Sequence, residues 1–341
     1  MNKNVLKYLV LIIFIFLWIQ AYSPFVYQEI GGKFRLFPDD YRYGDLYRLS
    51  LLPQFKEKAY ECEHKNISSK QPINLYLIGD SFTEEPKMKL NDFPVEKYQY
   101  VHWAKSADYQ LDTTKKNILI LETVERTFKE HFSDVANNFT NEKEGVSKIP
   151  FRQKLTNQVE KVEKTIIPDG IEERLMHTLF SYDFFLRFRE LKSFINLQFF
   201  DRTEDEIILS KDKNEIFFAD EADVNNSKSA FYPLSNTEID TYIQKINLTR
   251  QKYLEAGFDE IYLSVIPNKV SILSPNLGKY NHLIERIQND KKLKTPIIDT
   301  YSTFTKSPKK YYLKSDTHWT CDGREVWLEK VNSILMQQSK K

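Results

Sequence analysis

The chain has little glycine, cysteine or methionine: 9, 2 and 4 residues respectively in 341. So little glycine excludes collagen and Gly-rich linkers. The two cysteines, Cys62 and Cys321, are too few for a disulfide framework and stand in no metal-ligand spacing. Two readings stay open for them, free thiols or a single bridge if the chain is exported. No charge of one sign dominates: Lys plus Arg is 49 and Asp plus Glu 48, a net +1, which gives no field to attract nucleic acid. There is no Walker loop, Rossmann glycine pattern, CxxC pair or internal repeat, and His64, His102, His131, His177 and His282 show no metal-ligand spacing. Neither a cofactor nor a metal is expected.

What is present points to a folded domain. Hydrophobic residues make up 41% and charged residues 28%, which excludes a disordered chain and a polytopic membrane protein. The length fits one large domain or two small ones at roughly 100–200 residues each. Aromatics reach 14%, read either as a Phe/Tyr-rich core or as a few rings stacking on sugars.

Lys3 and Lys7 precede an apolar run from Tyr8 to Ile19 that fades through Gln20, Ala21 and Tyr22. This is a positive n-region followed by an h-region. The one small-x-small site, Ala21-Tyr22-Ser23, is followed directly by Pro24, which hinders a peptidase needing an extended backbone. An uncleaved single-pass anchor over residues 1–23 is therefore favoured over a cleaved signal. The charge bias places the N-terminus in the cytoplasm and the rest outside. The expected location is the inner cell membrane, with the domain extracytoplasmic (periplasmic).

Residues 24–71 read as a connector packing on the domain surface. Beyond them, Ile73 to Ile78 is a short apolar run suited to a buried parallel strand. Further strands are expected at Tyr98 to Trp103, Asn117 to Leu121, Glu260 to Ile266 and Pro296 to Asp299. Residues 128–234 read as one α+β insertion, with an amphipathic helix around Ile171 to Phe199 and a hairpin from Glu206 to Ala219. Ser235 and Glu238 form a capping-box pattern opening a helix with Ile239, Tyr242, Ile243 and Ile246 inward, and Gly257 can end it. Asp322 and Glu325 are expected to cap a terminal helix with Val326, Trp327, Val331 and Leu335 inward. The alternation predicts an α/β fold over residues 72–338: a doubly wound, mostly parallel sheet in three layers, flavodoxin-like, with its active site at the carboxyl ends of the strands.

Two spots combine turn chemistry, titratable groups and a strand end. In Gly79-Asp80-Ser81-Phe82 a strand feeds a serine at the expected start of a helix, with its N–H free to face an oxyanion. A helix-capping serine is the bland alternative. In Ser315-Asp316-Thr317-His318-Trp319-Thr320, Asp316 and His318 are two apart, so in an extended loop they point the same way. Asp316 can then orient His318 and leave Nε2 for a serine hydroxyl, the logic of a Ser–His–Asp triad. A structural loop histidine is the alternative.

Together, GDSF and DTHWT resemble the SGNH (GDSL-like) hydrolase superfamily, and more narrowly the periplasmic alginate O-acetyltransferase type. The resemblance covers about residues 73–126 and 236–335. It implies Ser81 as nucleophile, Asp316 as orienting acid and His318 as base. Glu122-Thr123-Val124-Glu125-Arg126 is similar to an E-x-x-E-R-like stretch of these proteins, which implies Arg126 as a site residue. The order departs from the alginate enzymes, since Ser81 precedes Asp316 and His318 here, as in ordinary SGNH esterases. The esterases' GxND block is absent. Asn268, at a strand end, either supplies that oxyanion donor or is a turn residue. Gly79, Asp80 and Trp319 complete the candidate oxyanion and substrate-binding set.

The resemblance implies an extracytoplasmic O-acetyltransferase acting on a polysaccharide or other surface glycan. A membrane-bound O-acyltransferase (MBOAT) partner would supply the acetyl group. Two other readings use the same residues: a carbohydrate acetylesterase with water as acceptor, and a non-catalytic scaffold for a glycan export complex.

Overall fold

Near-continuous apolar runs need cover on both faces, and the sheet meets that need. The computed structural model describes residues 3–32, 41–58, 60–140, 170–180, 182–307 and 309–338. Four strands, β1 (Gln71–Gly79), β2 (Val95–His102), β3 (Lys116–Val124) and β6 (Glu260–Ile266), form one sheet in the order β2-β1-β3-β6. All of its pairings are parallel. A separate antiparallel hairpin joins β4 (Ile207–Leu209) to β5 (Ile216–Phe218). Ile78 stands opposite Leu121, and Val124 opposite Ile266, so the strands reach one common carboxyl edge.

Alternate residues face opposite ways along each strand. On one face Leu75, Leu77, Ile118 and Ile120 pack with Trp327, Val331 and Leu335 of the terminal helix. On the other, Tyr76, Ile78, Leu119 and Leu121 pack with Ile239, Ile243 and Ile246. Each fully buried large apolar side chain contributes roughly 1.5–3 kcal/mol relative to exposure. The fold is thus α/β with a parallel central sheet and helices on both faces.

The helix Asn236–Glu255 opens as its sequence predicts, with Ser235 Oγ accepting the Glu238 N–H and Glu238 Oε2 accepting the Ser235 N–H. Three local expectations are corrected. No helix follows Ser81; residues 81–83 form a turn closed by Thr83 N–H to Asp80 O at 3.2 Å. Pro86, five residues on, lacks the N–H that a helix there would use. The terminal helix begins at Cys321, with Thr320 Oγ1 accepting the Gly323 N–H, so Thr320 does the capping and Asp322 lies inside the first turn. Pro296 to Asp299 makes a single parallel bridge, Ile297 to Leu263, and no strand.

The chain divides into two compact units. One comprises Met1–Tyr43, Leu51–Lys58 and Gly145–Arg202; the other comprises Gly44–Ser50, Ala59–Glu144 and Thr203–Lys341 and contains the sheet. The division runs through both the expected connector and the expected insertion. Part of that insertion, residues 141–169 and 181, lies outside the described residues. Its expected single helix is two, Ile171–Phe180 and Asp183–Phe200. The first unit also holds the helix Lys3–Tyr22, which is long and apolar enough to cross a membrane.

Candidate active site

β1 delivers Ser81 to the carboxyl edge of the sheet, and the loop before the terminal helix delivers His318 to the same place. Ser81 Oγ lies 2.9 Å from His318 Nε2, and His318 Nδ1 lies 2.5 Å from Asp316 Oδ1. Across 237 residues of sequence, the hydroxyl, imidazole and carboxylate form one continuous chain. With Asp316 ionised, Nδ1 carries the hydrogen and donates to Oδ1. Nε2 then accepts the Ser81 O–H. The His318 N–H also donates to Asp316 Oδ1 at 2.8 Å, which holds the two residues on one side of the loop.

The serine side is braced by two buried carboxyl groups. Asp80 Oδ1 accepts the Phe82 N–H and its Oδ2 the Val124 N–H, both at 2.9 Å, tying the turn to the end of β3. Glu122 Oε2 accepts the Asp80 N–H at 3.0 Å and the Thr83 hydroxyl at 2.7 Å. Burial, aided by the neighbouring Asp80 charge, pushes the Glu122 carboxyl well above the usual range. Gly79 is required here: a Cβ would overlap Thr83 Oγ1 and lie 2.8 Å from Glu122 Oε2. Lys87 Nζ donates to the Ser81 carbonyl at 2.5 Å.

The histidine side has other supports. Asp45, at the start of the short helix Asp45–Ser50, accepts from the Thr317 N–H at 2.8 Å and the Thr317 hydroxyl at 2.5 Å. Its own N–H donates to Asp316 Oδ2 at 3.1 Å. Burial and the adjacent Asp316 charge push the Asp45 carboxyl up. Burial acts the same way on Asp316, but hydrogen bonds and the charge of His318 outweigh it and hold that carboxyl well below the ordinary range. Gly44, at φ +87°, precedes Asp45, and a Cβ there would overlap the Ser315 carbonyl oxygen. Lys269, fully buried, donates from Nζ to the carbonyls of Lys314 at 3.0 Å and Asp316 at 3.4 Å. Burial lowers its ammonium to about 8. A disulfide, Cys62–Cys321, closes the question left open for the cysteines and fixes the chain three residues after His318.

Asp45, Asp316 and His318 place one ligand-type atom each within 4.8 Å of one another. Both carboxylates accept from N–H donors within the site, and His318 Nε2 faces Ser81.

The other candidates scatter. The Arg126 N–H donates to Asn268 Oδ1 at 3.0 Å, and its guanidinium pairs with buried Glu221 at 2.5 Å and lies 5.9 Å from the centre of the Phe82 ring. Asn268 is fully buried, and its Nδ2 has no partner among the described residues. Phe82 is the floor of the site, with the His318 ring 4.7 Å from it. Trp319 is 5% exposed, with its ring edge-on to Phe82 and beside Trp327. Sequence reasoning missed Asp45, Lys87 and Lys269. Only the Gly44-Asp45 pair, a turn residue before an acid, carried a local signal.

No protein-family model matches the chain, and no curated protein or solved structure matches it significantly.

Proposed function

We propose that the chain is a membrane-anchored serine acyltransferase of the SGNH type, placing acetyl groups on hydroxyls of an extracytoplasmic polysaccharide. The observation that carries this reading is the unbroken Ser81–His318–Asp316 chain of hydrogen bonds at a strand-end edge. His318 Nε2 takes the Ser81 proton as Oγ attacks the acetyl carbonyl of an ester or thioester donor. Collapse of the tetrahedral intermediate expels the donor's alcohol or thiol, which leaves with the proton from His318, and acetyl-Ser81 remains. A sugar hydroxyl then gives its proton to His318 and attacks the acetyl carbon. Collapse returns the proton to Ser81 and releases the acetylated glycan. Asp316, ionised across the working range, stabilises the imidazolium formed at each step.

One donor suits the oxyanion: the Ser81 N–H has no acceptor among the described residues. The disulfide fits an oxidising compartment. Lys3 and Lys7 ahead of the apolar helix fit a cytoplasmic N-terminus. A domain held outside has no access to cytoplasmic acetyl donors, so a membrane acyltransferase of the MBOAT type is the expected supplier.

The test joins labelling to product analysis. A fluorophosphonate probe labels Ser81 in the wild-type chain and not in Ser81→Ala, and cells carrying that variant lose acetyl groups from the glycan. Unchanged glycan acetylation in Ser81→Ala refutes the proposal. Acetyl release indifferent to added sugar assigns the site to an esterase instead.

A further inference from the structure

The helix Asp183–Phe200 is amphipathic in reverse. At 100° per residue, Phe184, Phe188, Leu191, Ile195 and Phe199 share one face. That face is the exposed one: Phe184 is 66%, Phe188 61% and Phe199 75% exposed. The opposite side buries Leu186, Ser193 and Leu197, two leucines and a hydroxyl. A contiguous aromatic face turned outward marks a surface whose partner is not water. Arg187 and Lys192, both exposed, border this stripe on its two sides.

The same compact unit holds the helix Lys3–Tyr22. Its 20 residues rise about 30 Å, the thickness of a bilayer's hydrocarbon core. Its last turn is tied to the helix Ile171–Phe180, where Arg174 Nε donates to the Ala21 carbonyl at 2.8 Å. A second tie follows, between the Tyr27 hydroxyl and His177 Nδ1. From Arg174 to Phe180 the helix rises about 9 Å, and three further residues reach at most about 11 Å. Asp183 therefore starts within about 20 Å of Arg174, whose guanidinium sits at the end of the apolar helix, where a bilayer's headgroup region would lie.

From these observations we infer that the helix Asp183–Phe200 lies in the membrane interface. Phe184, Phe188, Leu191, Ile195 and Phe199 enter the upper acyl region, and Arg187 and Lys192 reach back to anionic headgroups. The occupant of the face is lipid, and the chain is held at the membrane by two contacts, one spanning and one lying flat. The inference rests on the apolar helix and not on the chemistry of Ser81.

The test uses the full chain reconstituted in vesicles of phosphatidylethanolamine and phosphatidylglycerol. Phe188→Trp and Phe199→Trp are compared with the parent chain and with Leu248→Trp, an exposed position in the other unit. Lipids brominated in the upper acyl chain quench the two introduced tryptophans several-fold more than Leu248→Trp, and aqueous iodide quenches them several-fold less. Adding Ser81→Ala leaves both readings unchanged, which separates this inference from the proposed acyl transfer. Iodide quenching equal to that of Leu248→Trp, without lipid quenching, puts the face in water and overturns the inference. Protection from both quenchers puts protein over the face, a second copy or another polypeptide, and also overturns it.

Discussion

The two walls of the site are built differently. The serine wall is short-range: β1, its turn and the end of β3 are neighbours in one sheet, and two buried carboxyl groups fasten them through backbone N–H donors. The histidine wall is a loop with little regular structure. It is held by Asp45, by Lys269 and by the bridge from Cys62, ties that span 47 to 272 positions of sequence. Sheet geometry alone places the Ser81 hydroxyl. Placing the His318 imidazole against it takes cross-links from distant segments, because a loop has few backbone hydrogen bonds of its own to resist rotation of the ring.

The largest expected effect joins the walls. Ser81→Ala and His318→Ala each lower kcat by about 10⁴-fold or more, and the double variant is little worse than either single one, because the residues act as a unit. Losses that simply multiply would mean that the walls act separately. Next, Asp45→Asn replaces an acceptor of the Thr317 N–H and hydroxyl with a group that is half donor. We expect kcat to fall about 10- to 100-fold with KM little changed, as for a residue that orients a catalytic neighbour. Glu122→Gln, the matched change on the serine wall, keeps an acceptor for the Asp80 N–H and the Thr83 hydroxyl and leaves kcat within about threefold. Equal losses at Asp45 and Glu122 would erase the distinction between the walls.

Removing the Cys62–Cys321 bridge with serine at both positions destabilises the sheet-bearing unit by about 2–4 kcal/mol, read as a shift in the denaturant midpoint. The last effect concerns Glu125, whose Oε2 accepts the Asn268 N–H. Burial raises this carboxyl to about 7, against hydrogen bonds from Ser271, the Asn268 N–H and Tyr280 that pull it down. A carboxyl with a raised folded-state pKa contributes stability fully below its unfolded value and loses it as pH climbs through 7. The cost accumulates at about 1.4 kcal/mol per pH unit across that window. Glu125→Gln removes this slope, so denaturant midpoints at pH 5 and pH 8 lie closer together than in the wild type. Unaltered spacing would mean that Glu125 is ionised at both.

This contrast also explains what could be read from the sequence. Ile73 to Ile78 running into Gly79-Asp80-Ser81 is a local pattern, so the strand and the placement of Ser81 at its end were legible. So was the Asp316–His318 spacing, because adjacent loop residues set their own geometry. The turn after Ser81 was misread because Pro86 lies beyond the motif. Lys269 was invisible and Asp45 was marked only by Gly44 before it, because their contacts exist only once the loop carrying Asp316 folds over them. The reversed helix Asp183–Phe200 was read as amphipathic, but periodicity gives the apolar face and not which way it turns.

The most direct measurement is a single-turnover experiment with an activated acetyl ester, quenched and read by peptide mass spectrometry. The account predicts acetyl on the Ser81 peptide when no glycan is present, and its passage to a sugar hydroxyl when glycan is added. Turnover of the donor with no adduct at Ser81, or the same turnover in Ser81→Ala, would contradict it.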